Sequence, residues 1–216
     1  MLTVEFRHRW LQYLIGAFAL LSALLMCTAA CADEALSVCY NYGCASASTV
    51  RFTEAQLTWV KRTLALADSA AAERESLSVV IGKLYFWAGQ QSPIYADRGG
   101  NLADNAVNGA MDCIDHSTTT TRLLKMIDAR GWLRYHAVLE PVRRVHFFMF
   151  QHFSAAIEET PPWLPDVKIE EHPEAPDEAT PDRFVVDSWF VNNGQPAVIL
   201  PLEAWKSGGG PSIEAD

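Results

Sequence analysis

The chain is short of positive charge: 17 Lys and Arg stand against 26 Asp and Glu, a formal charge of −9 and a pI near 5.1. Such a balance offers no attraction to a phosphate backbone, so nucleic acid is excluded as the expected partner. Also lacking are the signatures of several enzyme classes: GxSxG, a Walker A loop, a GxGxxG turn and HExxH are all absent. There is no internal repeat, and cysteine is sparse at five residues. What is present is apolar: half of the 216 residues are hydrophobic and only a fifth charged. That excludes disorder throughout and a multi-span membrane protein, and leaves material for one core.

The first 32 residues read as separate from that core. Arg7 and Arg9 precede an apolar run from Trp10 to Met26, and Ala30-Cys31-Ala32 meets the small-residue rule for cleavage before Asp33. A secretory signal over 1–32 is the expectation. Two other fates are open: an uncleaved anchor, for which about 20 apolar residues suffice, and a lipid-bearing Cys31. Membrane contact follows only from these two. All three place the remainder outside the cytoplasm, in the periplasm or secreted. The expected organisation is a domain over 33–206 followed by a flexible, glycine-rich tail over 207–216.

Removing the leader takes Cys27 and Cys31 with it. Cys39 and Cys44 lie five apart in VCYNYGC, a stretch able to turn back on itself, and an oxidising compartment predicts that they are bridged. Cys113 is then left unpaired. A lone cysteine is commonly a small buried hydrophobe, but the surroundings of Cys113 suggest otherwise.

Thr53 to Gln56 has the form of a capping box opening a helix to about Asp68. A second helix is expected over 70–88, with Leu77, Val80, Ile81 and Leu84 as a core stripe. From Gln90 to Met111 the periodicity vanishes among Pro, Gly, Asn and Asp, as in a long ordered loop. A third helix should run from Cys113 to Arg130 and stop at Gly131. Strands are expected over 132–139, 145–157, 184–190 and 197–200, with a tight turn at Asn192-Asn193-Gly194. Residues 160–182, with six prolines and seven acids against one lysine, read as a solvated excursion. The class is α+β.

At the start of a helix, free N–H groups and the positive dipole end favour a thiolate and can hold an oxyanion. A thiolate nucleophile needs a base, and the base needs an acceptor to hold its ring. His172 sits in the acidic excursion and reads as solvated. His116 lies on the nucleophile's own helix, and His136 among strand residues. His146 and His152, on one expected strand, share a face yet stand about 20 Å apart at roughly 3.3 Å per residue, so only one can serve. Small residues after His152 let a helix pack closely there. Asp187, inside RFVVDSWF, needs a partner to offset desolvation, and a ring N–H supplies one; capping by backbone N–H groups is the other reading of it. Metal binding is disfavoured because HxxxxxH in a strand holds its ligands too far apart.

GAMDCIDHST, HFSAAIEE and RFVVDSWF, in that order, resemble the transglutaminase-like branch of the papain-like cysteine peptidase superfamily, including the bacterial transglutaminase-like cysteine proteinases, over about residues 105–190. The resemblance implies a helix bearing the nucleophile packed on an antiparallel sheet, with Cys113 as nucleophile, His152 as base and acid, and Asp187 as the orienting carboxylate. It implies an amide or peptide substrate, with a periplasmic protein as one candidate; no cofactor or metal is expected. Asn108 stands near the position of the Gln that papain-like enzymes place ahead of the cysteine. Phe follows His152 where many relatives have Ala, which leaves His146 as the alternative base. A catalytically silent fold of the same kind, serving as a binding module, is the alternative function.

Overall fold

The computed structural model describes residues 33–100, 104–146, 150–160 and 181–211; the expected leader, nearly all of the acidic excursion with His172, and the end of the tail lie outside them. Helices and antiparallel sheets share one unit, Glu34–Asp216. It opens with a hairpin that the sequence did not announce, β1 (Glu34–Tyr40) against β2 (Ser46–Phe52). Its inward residues, Val38, Val50 and Phe52, are fully buried. Alternation was there to be read in LSV and TVRF, but Ser and Thr fill its outer positions and dilute the pattern.

Helix α1 (Glu54–Ala65) starts at the expected capping box, with Thr53 and Gln56 exchanging bonds. Helix α2 (Ala70–Gly89) buries Leu77, Val80, Ile81 and Leu84. A 3-10 turn at Pro93–Ala96 interrupts the long loop. Helix α3 (Cys113–Asp128) follows, two residues shorter than expected. Its threonines 119 and 120 are fully buried, and Thr119 Oγ1 accepts from Cys39 N–H at 3.0 Å. Packing thus overrides their poor helix propensity.

The main sheet is an antiparallel meander of β3 (His136–His146), β4 (Phe150–Glu159), β5 (Arg183–Asp187) and β6 (Val198–Pro201), in that order. This corrects three expectations. The strand expected over 145–157 is two antiparallel strands, with His146 opposite Phe150 and Arg144 opposite His152. The strand expected over 132–139 begins at His136, because Ile127, Asp128 and the left-handed Gly131 first close the helix. The strand expected over 184–190 ends at Asp187, and the turn at Asn192 belongs to a longer connection over 188–197. Apolar aromatic residues extend past the strand because they cover a site, not because they pair.

One face of this sheet, with Ala155, Ile157 and Val186, joins Leu123, Leu124 and Ile127 of α3 and the α2 stripe in the main core. The other face, with Val185, is covered by a short helix α4 (Leu202–Lys206) that carries Trp205 and was not foreseen. The start of the expected loose tail is held: Gly209 N–H donates to Ala204 O and Arg144 donates to Gly209 O. No helix of the described residues is long and apolar enough to cross a membrane.

Candidate active site

Cys113 is the first residue of α3, as expected, but its helix end is not an open set of donors. Asp112 Oδ1 accepts from Ile114 and Asp115 N–H at 3.0 and 2.9 Å, and Asp115 Oδ2 reaches back to Asp112 N–H at 3.2 Å. This reciprocal capping box consumes the first-turn donors. The N–H it does not take is that of Cys113 itself. The box also brings two carboxylates to the dipole's positive end. Burial, with the Asp112 and Asp187 charges adding to it, pushes the Cys113 thiol up, against hydrogen bonds from the N–H groups of Phe153 and of Cys113 itself. The expectation of a thiol lowered by the helix end is therefore corrected: burial acts in the opposite direction, and the N-cap acid beside it adds to that.

The disulfide loop is docked on the same carboxylates. Cys39 and Cys44 are bridged, with Cα atoms 4.7 Å apart. Tyr42 and Cys44 N–H donate to Asp115 at 2.8 and 2.5 Å, and Gly43 N–H donates to Asp112 at 2.9 Å. Four successive residues, Asn41 to Cys44, have φ between 56° and 65°, a left-handed turn that aims consecutive N–H groups at one target. Burial pushes the Asp115 carboxyl up to about 6, with Asp112 adding to the shift and the loop's N–H groups opposing it. Asn108 is exposed, and its Oδ1 accepts from Asn41 Nδ2 at 3.2 Å, so it braces this loop.

The thiol meets β4 at the backbone. Cys113 Sγ donates to Gln151 O at 3.9 Å, beyond the last β4–β5 pair at Ala155 and Val186. The next residue on the strand is His152. Its Nε2 bonds Asp187 Oδ2 at 2.7 Å. Strand parity sets both side chains on the face covered by α4, opposite to the face that α3 covers. The thiol meets β4 from the α3 side, at a stretch of that strand that has no β5 partner.

Asp187 is 1% exposed, and its charge is offset by three donors: His152, Trp205 Nε1–H at 2.9 Å and Trp189 N–H at 3.2 Å. The ring of His152 is boxed by Trp189, Phe190 and Trp205 at centroid distances of 4.7, 5.5 and 5.5 Å. With Nε2 committed to Asp187, Nδ1 is the nitrogen left for chemistry. The aromatic box dries the pair and limits the ring's rotation. Adjacency in DSWF could have flagged Trp189; Trp205 had no sequence signal, since it arrives on a helix formed after the last strand.

The other histidines have separate tasks. His136 bonds buried Glu73 through Nδ1 at 2.8 Å and receives Arg74 at Nε2, 3.1 Å away, so it is a structural histidine. Two backbone N–H groups also reach Glu73, and these bonds, with His136, hold its carboxyl below the usual range despite burial. His116 is buried between Asp97 and Ser188. His146 is placed by its backbone register on β3, and its side chain lies outside the described structure. Its supposed separation of about 20 Å from His152 along one strand no longer holds, because the two lie on neighbouring strands. Among the described residues, the group closest to a metal-ligand set is Cys39, Cys44 and Asp115, whose two sulfurs are bound to each other.

No family model matches this chain, and neither the curated proteins nor the solved structures hold a match.

Proposed function

We propose that this protein is a cysteine hydrolase or acyltransferase acting on an amide or peptide bond, with Cys113 as nucleophile, His152 as base and acid, and Asp187 as the orienting carboxylate, on a fold of the transglutaminase-like, papain-like kind. The observation that carries the reading is the buried 2.7 Å His152–Asp187 bond, on the strand whose backbone meets the Cys113 sulfur at Gln151, the residue before His152.

In this mechanism the Cys113 proton passes to His152 Nδ1 as sulfur attacks the carbonyl carbon. Asp187 stabilises the resulting imidazolium through Nε2–H. The N–H of Cys113, which the capping box does not take, turns from its own sulfur to the developing oxyanion as the sulfur attacks. The imidazolium then protonates the leaving amine, giving a thioester that water or a second amine resolves. Because burial raises the thiol, the nucleophile forms by transfer to His152 and not as a standing thiolate. A Cys39–Cys44 bridge fits a periplasmic or secreted location.

The second reading is a catalytically silent fold that binds a periplasmic partner, favoured by that raised thiol. Alkylation separates the two. Under the enzyme reading Cys113 reacts with iodoacetamide at neutral pH faster than in the unfolded chain, and His152→Ala removes the advantage. A folded protein whose Cys113 reacts no faster than the unfolded control supports the silent module.

A further inference from the structure

A second buried His–Asp pair stands beside the first and takes no part in the chemistry above. His116 lies one turn after Cys113 on α3 and is 2% exposed. Its Nε2 is 3.0 Å from Asp97 Oδ2, within ion-pair distance but off the line of a hydrogen bond, and neither atom has a hydrogen-bond partner. Asp97 is anchored by Met111 N–H at 2.8 Å to Oδ1. On the other side, His116 Nδ1 is 2.9 Å from Ser188 Oγ, the residue following Asp187.

From Ser188 a ring of bonds returns to its start. Ser188 Oγ lies 2.9 Å from Thr120 Oγ1, which lies 3.0 Å from the Tyr85 hydroxyl, which donates to His116 O at 3.3 Å. A carbonyl only accepts, so the single Tyr85 proton is committed there. Tyr85 then accepts from Thr120, Thr120 from Ser188, and Ser188 from His116. Nδ1 must therefore carry a proton. A bare Nε2 lone pair facing a carboxylate at 3.0 Å is repulsive, so Nε2 carries one as well.

We propose that His116 is a positioning residue for Cys113, His152 and Asp187: a buried imidazolium held by Asp97, it ties the end of β5, through Ser188, to the helix that carries the nucleophile. The inference rests on the catalytic reading above. The groups facing the ring are Asp97 from the loop after the 3-10 turn, Asp115 on its own helix, Asp187 from β5, and Tyr85 of α2 stacked at 5.7 Å. Burial alone disfavours the charged ring, but the carboxylates outweigh it and hold His116 above the usual histidine range. Ser188 fixes the backbone between Asp187 and Trp189, whose N–H is itself a donor to Asp187.

The test has two arms on the full mature chain. Imidazole ¹⁵N spectra of the unaltered protein should show both nitrogens of His116 protonated at neutral pH, where a free imidazole is mostly neutral. A deprotonated nitrogen at neutral pH overturns the assignment, and needs no variant. In the second arm, Ser188→Ala should lower Cys113 alkylation about tenfold, move its half-maximal rate to higher pH, and weaken the downfield His152 Nε2–H resonance. Ser188→Thr, which keeps the hydroxyl, should restore all three. A folded S188A protein with an unchanged pH profile and an unchanged His152 resonance overturns the positioning role. If Cys113 of the unaltered protein is inert while the spectra behave as stated, it is the hydrolase reading that fails.

Discussion

At the scale of single residues, charge around the thiol and donors around Asp187 are separable. Asp112 raises the Cys113 thiol by proximity while capping α3. Asp112→Asn keeps an Oδ1 acceptor for Ile114 and Asp115 and deletes the negative charge. Removing a charge that favours the neutral thiol lowers its pKa, so the alkylation rate of D112N should rise at lower pH than in the unaltered protein, read from the rate measured across pH. Trp205 acts on the opposite end of the proposed triad, at Asp187. Trp205→Phe keeps most of the ring packing but leaves Asp187 Oδ2 with one donor fewer, and should cost about 1–3 kcal/mol in urea unfolding. An unchanged unfolding midpoint would show that water replaces the indole N–H.

The elements meet at the left-handed turn. Asn41, Tyr42 and Cys44 adopt a conformation that costs L-residues about 1–2 kcal/mol each, and the docking of their N–H groups on Asp112 and Asp115, together with the disulfide, offsets it. Gly43 has φ of 64° and open space where a Cβ would stand. Gly43→Ala should therefore destabilise by only about 1 kcal/mol, the backbone cost alone. Gly109 has φ of 97° and the Pro93 carbonyl packed against it. Gly109→Ala must displace that backbone, and its loss in thermal melting should exceed that of G43A. Equal losses would mean that the Pro93 segment yields easily.

For the whole molecule, two cores on the two faces of one sheet divide the labour. The larger core fixes α3 and the hairpin to one face; the smaller, built on Val185, Leu202 and Trp205, roofs the His152–Asp187 pair on the other. The thiol comes from the first side and the pair from the second, so the site exists only when both are packed. The compartment reading also belongs to this scale. Intact mass measurement of the exported protein should give a chain starting at Asp33 with Cys39 and Cys44 oxidised and Cys113 free. A mass that retains Met1 would assign the segment as an anchor instead.

Short-range chemistry made the helices legible: the capping box at Thr53, the stripe from Leu77 to Leu84 and Gly131 after the third helix all act within a few residues, so they follow from the order of residues alone. The close Cys39–Cys44 pair and the need of Asp187 for a partner were legible for the same reason: loop length and desolvation are local quantities. The hairpin that divides 145–157 into β3 and β4 was not, because both its strands have the same apolar period and no turn residue separates them. Nor was the direction of the Cys113 shift, which depends first on burial, a quantity that packing sets. Trp205 on Asp187, and Asp97 on His116, join residues far apart in the chain. Those contacts come from packing at long range, since a buried charge is satisfied by whatever donor the fold delivers to it, and sequence spacing carries no record of that delivery.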